Sequence, residues 1–268
     1  QNKLTGFQFY EENSTILGNT ATGNTHEMAM DDSVNCTISN NHIYANVQYG
    51  FGASMSSNLS ISNNTIHSHY YGGVYLMDCY NCVISGNDIY NNGWGISLEG
   101  AMRIPWCENK NNVVKRNNVH DNGMGIYLDK SWKSSIIENN LIDNDLNAWF
   151  SLYIDLSDPN PPNPLYNEWN GNYWSDWESS SPKPIKGVAT LYLGKRSIFL
   201  NIPWFYFDKH PAMEPYGNFT FDDMANRDHR EKETPSLYIA TSYPSCPLLA
   251  GMNRWNHRKC IITFKRKF

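Results

Sequence analysis

The stretch NCVISGNDIYNNGWGISL, Asn81 to Leu98, sets single isoleucines among asparagines and glycines. Its apolar residues are too sparse for an amphipathic helix and too regular for a disordered linker. The decisive observation is that the pattern recurs. With Ile84-Ser85-Gly86-Asn87-Asp88-Ile89 as template, copies lie at Ile16-Leu17-Gly18-Asn19-Thr20-Ala21, Ile38-Ser39-Asn40-Asn41-His42-Ile43 and Ile61-Ser62-Asn63-Asn64-Thr65-Ile66. Two more follow at Val114-Lys115-Arg116-Asn117-Asn118-Val119 and Ile137-Glu138-Asn139-Asn140-Leu141-Ile142. In this alignment the marker asparagines are 19, 41, 64, 87, 117 and 140, at intervals of 22, 23, 23, 30 and 23 residues. The long interval contains EGAMRIPWCENKNN, Glu99 to Asn112, read as an inserted loop.

A fixed period of this size marks a solenoid. Leucine-rich repeats need more leucine, and helical repeats are longer and poor in Asn and Gly. Within each unit short segments alternate inward apolar with outward polar residues: Ile84 and Ile89 in, Ser85 and Tyr90 out, Ile96 and Leu98 in, Ser97 out. Asn and Gly mark corners because they tolerate left-handed backbone. The expected fold is all-β, a single-stranded parallel β-helix with coils of 22–23 residues. Stacked coils would place Asn41, Asn64, Asn87, Asn117 and Asn140 in one file, each amide donating to the next.

Composition narrows the function classes. Of 268 residues 40% are hydrophobic and 18% charged, so the polarity rests on Asn, Ser and Thr. No apolar run is long enough to span a membrane. The chain opens at Gln1 without a signal peptide, which is read as processing or truncation. The net charge is −5; residues 234–268 hold six Lys/Arg and no Asp or Glu, leaving −11 on residues 1–233. An acidic body argues against nucleic acid and for an extracellular or surface protein. The basic segment reads as an extension without repeat chemistry.

Cys36 and Cys82 share a column with Leu59 and are read as buried core residues. Cys79 and Cys82 have CxxC spacing without a second pair, a weak zinc or redox signal. Cys246 and Cys260 could pair in an exported protein. Sequons occur at Asn13, Asn35, Asn58, Asn63 and Asn218.

The repeat fades after Phe150, and the coils are bounded at residue 156. Ser157–Pro164, SDPNPPNP, reads as a strand-breaking connector within a capping region, 157–218; 219–268 is the extension. In the capping region Trp169, Tyr173, Trp174 and Trp177 are expected to close the exposed core of the last coil, with Trp204, Phe205, Tyr206 and Phe207 over the same end.

The N-x-I…N-x-x-G-I-x-L coils, the motif Asn172-Tyr173-Trp174-Ser175-Asp176, and the later Asp208-Lys209-His210-Pro211 and Pro215-Tyr216 resemble the NosD-like family of right-handed β-helix proteins over about residues 13–216. Glu178–Gly194 stands where that family carries an acidic run. The resemblance implies a right-handed helix, export to a cell surface or periplasm, and a loose relation to carbohydrate-binding and sugar-hydrolysing β-helices. The namesake is linked to copper delivery.

Function is expected on outward columns. One holds Tyr44, His67, Tyr90, His120 and Asp143; another holds Tyr75, Ser97 and Tyr127, beside Met77, Glu99 and Asp129. Tyr44, His67, Tyr90, Tyr75 and Tyr127 form the expected glycan face, since aromatic rings stack on sugars. Glu99 with Asp129, or His120 with Asp143, are the candidate acid–base pairs. His67, His120, Met77 and Met124 are scattered over columns, so no metal site is assigned, and neither calcium nor copper gains support from the residues. The leading reading is a noncatalytic surface module that binds polysaccharide or envelope proteins. The alternatives are a polysaccharide-modifying lyase, hydrolase or epimerase, and a copper-related accessory protein.

Overall fold

The computed structural model describes residues 7–26, 28–100, 109–156, 167–193, 198–217 and 261–262. Cys246, Cys260, the Asn218 sequon, the Pro-rich connector, residues 101–108 of the inserted loop and nearly all of the basic extension lie outside them. The described residues contain strands and no helix, and the coils wind as a parallel β-helix.

Each coil contributes to three faces. The first face stacks Phe7–Phe9, Met28–Asp31, Tyr49–Ser54, Gly72–Met77, Trp94–Glu99, Met124–Asp129 and Leu146–Asp155 in parallel. The second stacks Thr15–Leu17, Thr37–Ser39, Ser60–Ser62, Val83–Ser85, Val113–Lys115, Ser135–Ile137 and Glu168–Asn170. The third is a seven-stranded sheet running from Thr20–Thr22 to Tyr173–Trp174. Ile38, Ile61, Ile84, Val114 and Ile136 form one inward file, and Ile43, Ile66, Ile89, Val119 and Leu141 another, all fully buried. Cys36, Leu59 and Cys82 share an inward file as expected, and Cys79 is buried beside them. The corners are left-handed at Asn40, Asn63, Gly86, Arg116 and Glu138, and again at Ala45, Ser68, Asn91, Asp121 and Asp143. Several of these residues are not the types that favour such φ values. The flanking ladders hold them there.

The asparagine file exists, with one member corrected. Asn19, Asn41, Asn64, Asn87, Asn117, Asn139 and Asn172 are linked Nδ2–H to Oδ1, at 3.2 Å for the first pair and 2.9 Å for each of the others. Each Oδ1 also accepts the backbone N–H of the preceding asparagine. Asn139, not Asn140, is the rung. The inward residue of that coil is Ile136, which pairs with Val114. Asn140 pairs with Asn118 instead and exchanges two hydrogen bonds with the backbone of Tyr216. The same one-residue slip removes Asp143 from the His120 column: Ile142 is the partner of His120, and Asp143 is an exposed corner.

A second ladder runs at the next corner. Asn24, Asn46, His69, Asn92, Asn122 and Asn144 follow one another, and Asn147 then carries the line to Asp176. It is backed by Gly73, Gly95 and Gly125. A Cβ on Gly95 would sit 2.5 Å from the carbonyl oxygen of Gly125 and 2.5 Å from Val119 Cγ1. Glycine is needed here for space and not for φ.

Trp169 and Trp174 are core residues of one further coil, so the helix continues past the expected boundary at residue 156. Trp169 pairs with Ile136 and Trp174 with Leu141, and both are buried. Tyr173 lies at the edge of that coil beside Asn140 and Ala212, and Trp177 is half-buried. Closure falls to an antiparallel hairpin, Lys183–Leu193 with Ile198–Asp208, whose first strand extends the first face from Leu146–Asp155. Tyr206 packs on Phe150 from this hairpin, while Phe205 and Phe207 point outward, 47% and 50% exposed. The two motifs behind the family resemblance meet here. Asp208, fully buried, accepts from the backbone of Gly171 and Asn172, from Asn172 Nδ2 and from Trp174 Nε1.

Candidate functional site

Strand alternation puts two outward columns on the first face. Tyr75, Ser97, Tyr127 and Trp149 succeed one another, and beside them run Ser54, Met77, Glu99, Asp129 and Ser151. Glu99 and Asp129 are therefore direct neighbours on adjacent coils, about 4.8 Å apart at the backbone. Their environments differ. Ser97 Oγ–H donates to Glu99 Oε1 at 2.7 Å. Burial, opposed in part by that bond and reinforced by the Asp129 charge, pushes the Glu99 carboxyl up to about 7. Asp129 instead holds Lys130 Nζ at 2.7 Å. A proton-bearing carboxyl beside an ion-paired one is an arrangement that can supply an acid and a base at neutral pH.

Aromatic side chains frame the pair. Tyr49 stacks on Tyr75, with centroids 4.7 Å apart and planes inclined by 15°. The register neighbour of Tyr75 on the next coil is the small Ser97, itself buried, and beyond that stands Tyr127, tilted against Trp94. Two coil steps, about 10 Å, separate the Tyr75 and Tyr127 positions, with Ser97 and Glu99 between their rows.

The third face holds the other expected column, and its geometry differs. Tyr44, His67, Tyr90 and His120 stack on one another, at centroid distances of 5.3, 4.6 and 4.9 Å and interplanar angles of 7°, 8° and 13°. Their ring faces cover each other, so this column offers no free ring face between its members to stack on a sugar. His42 Nε2 lies 3.0 Å from His67 Nε2 at the outer edge. His120 is buried between Asp121, 2.7 Å from Nδ1, and Asp88, 3.1 Å from Nε2. Burial opposes its charge, but the two carboxylates together outweigh it and hold the imidazole above its ordinary range. Asp143, its expected partner, is one corner away.

Among the described residues no group of three or more His, Cys, Asp or Glu is arranged to hold a metal ion. Cys79 and Cys82 are buried free thiols. No described helix is long and apolar enough to cross a membrane.

Residues 5–153 match the family model described as the right handed beta helix region, and the chain belongs to that family. A mutant of the periplasmic alginate epimerase AlgG is similar in structure, with 23% identity and a TM-score of 0.50, over 63% of this chain and 40% of that one. The mannuronan C-5 epimerase AlgE6 A-module of Azotobacter vinelandii is similar too, with 20% identity and a TM-score of 0.52, over 69% of this chain and 48% of that one. At these identities the likeness is one of fold, and the chain spans less than half of either structure. A search of curated proteins finds no match.

Proposed function

We propose that the first face binds a polysaccharide and that Glu99 and Asp129 perform acid–base chemistry on it. The observation that carries this reading is the pairing of two carboxyls in unlike environments, on adjacent coils, between the rows of Tyr75 and Tyr127. Tyrosines two coil steps apart, about 10 Å, span more than one sugar of a chain and suit stacking on the apolar faces of its pyranoses. Glu99, carrying a proton, would donate it to a glycosidic oxygen; Asp129, held by Lys130, would take one from water or stabilise developing positive charge. Two like-folded proteins named as polysaccharide epimerases agree with a glycan on this fold.

A second reading is binding without turnover. It is favoured by the way Ser97 and Lys130 already satisfy the two carboxyls. Reducing-end and viscosity assays on a polysaccharide panel separate the readings. Activity in wild type, lost in E99Q and D129N while binding persists, supports catalysis. Binding that both variants retain, with no product from wild type, supports the second reading. No binding at all overturns both.

The same proposal places the protein outside the cytoplasm, at a cell surface or in a periplasm, as a NosD-like member of the β-helix family. Support comes from the contact between its two closing motifs, where Asn172 and Trp174 donate to Asp208. The periplasmic location of one like-folded epimerase is compatible with it. Neither copper nor calcium has a part in this reading.

A further inference from the structure

Resting on the reading of the first face as a glycan site, we infer that its ligand is an uncharged polysaccharide and not a polyuronate. The inference comes from an inventory of charge on that face. Its outward acidic column runs Asp31, Ser54, Met77, Glu99, Asp129 and Ser151. Among the described residues the one cation at its edge is Lys130, the corner residue after Asp129. Lys130 is largely buried and tied to Asp129 at 2.7 Å. Lys110 stands on the short strand after the next corner, and Lys115 and Arg116 on the face beyond it. Lys183 is bound to Asp176 at 2.8 Å, and Lys186 belongs to the closing hairpin, two strands past Asp129.

A polyuronate presents one carboxylate per sugar, at a repeat close to the coil spacing. Each would meet Asp129 or a protonated Glu99, and among the described residues the next lysine on that face outside an ion pair is Lys186, two strands past Asp129. Chemistry at a uronate also needs its carboxylate neutralised, because the proton beside it leaves only when the developing charge is held by a cation or strong donors. Lys130 cannot serve without abandoning Asp129, which would leave a largely buried carboxylate unpaired. A neutral sugar meets no such conflict. The Asp129–Lys130 pair sums to zero, and a protonated Glu99 offers a hydroxyl group that can both donate and accept. Asp31, held by Gln8 at 2.9 Å, lies three rows from Glu99, and Asp78, the buried corner residue after Met77, lies one row from it, so the surroundings of the site are acidic.

Affinity electrophoresis of the full chain tests this with gels containing β-glucan, galactomannan, alginate or polygalacturonate. The expected result is retardation by at least one neutral polymer. It should be reduced at least tenfold in Y127A and unchanged between about 0.05 and 0.5 M NaCl, since no charge pairing is screened. Retardation by a polyuronate that Y127A abolishes would overturn the substrate class and leave the glycan face standing. Retardation by none, or retardation that Y75A and Y127A leave intact, would overturn the glycan face and this inference together. Circular dichroism and thermal melts of the variants separate lost binding from lost fold.

Discussion

His69 Nδ1 accepts the backbone N–H of Asn46 at 3.2 Å, in a ladder whose other rungs accept through an asparagine Oδ1. The ring must carry its proton on Nε2, which faces the carbonyl of Ile43 at 3.2 Å, and burial pushes the imidazole down to about 4. A single lone pair serves one donor, whereas an asparagine oxygen serves two. Asn46 Nδ2 is accordingly buried without a partner. H69N should restore both bonds and stabilise the protein by about 1 kcal/mol, read as a rise in melting temperature of roughly 2–4 °C.

The first ladder makes a sharper contrast. Asn87 Oδ1 accepts both the backbone N–H and the side-chain amide of Asn64. N87A leaves two buried donors unpaired and should cost about 2–4 kcal/mol. N140A frees only Tyr216 from its tether and should cost about 1 kcal/mol. Equal losses in denaturant titrations of the two variants would contradict the assignment of Asn139 as the rung.

G95A should be among the most damaging single changes, because its Cβ meets backbone from the next coil. A loss of about 3 kcal/mol or more is expected, seen as low soluble yield and a depressed melting temperature. G18A, at a corner where a Cβ would meet nothing within 4 Å, should lose less despite its positive φ.

The raised carboxyl of Glu99 has a defined sign in stability. Between about 4.5 and about 7 the folded chain binds more of this proton than the unfolded one, so its contribution falls as pH rises through that window. E99Q removes the penalty. It should exceed wild type in stability at pH 8 by about 2–3 kcal/mol and match it more closely at pH 4, in parallel urea titrations.

His120 shares this sign, through favourable carboxylate partners and not through a burial penalty. Its raised value contributes stability that is fully present below the ordinary histidine value and is lost as pH rises through the folded one. D88N removes one of its two carboxylate partners and should move its NMR titration midpoint down. An unmoved midpoint would mean that Asp121 alone holds the charge.

The winding of the chain is legible because inward isoleucines and corner asparagines recur at one interval. The phase is lost where that signal doubles. Ile136-Ile137 and Leu141-Ile142 each offer two apolar residues in a row, so two frames fit, and the slip moved both the rung at Asn139 and the partner of His120. The second ladder has a signal of its own: Asn24, Asn46, Asn92, Asn122 and Asn144 keep the intervals of the first, but His69 interrupts the residue type. Trp169 and Trp174 read as a cap because tryptophan stands where earlier coils have isoleucine or leucine. The Glu99–Asp129 adjacency follows from strand register alone. The mutual stacking of Tyr44, His67 and Tyr90 does not, since it depends on side-chain torsions that no spacing encodes.

In the first ladder every side-chain amide gives one hydrogen to the next rung toward the C-terminal end, from Asn19 through Asn172, and the line stops on Asp208, a group that accepts and cannot pass a hydrogen on. The row thus has a direction and a terminator. Whole turns could be spliced in or cut out between Asn41 and Asn117 without disturbing any neighbour's valence. The carboxylate must stay last, so growth or shrinkage of this molecule by duplication is open at its middle and closed at its C-terminal end.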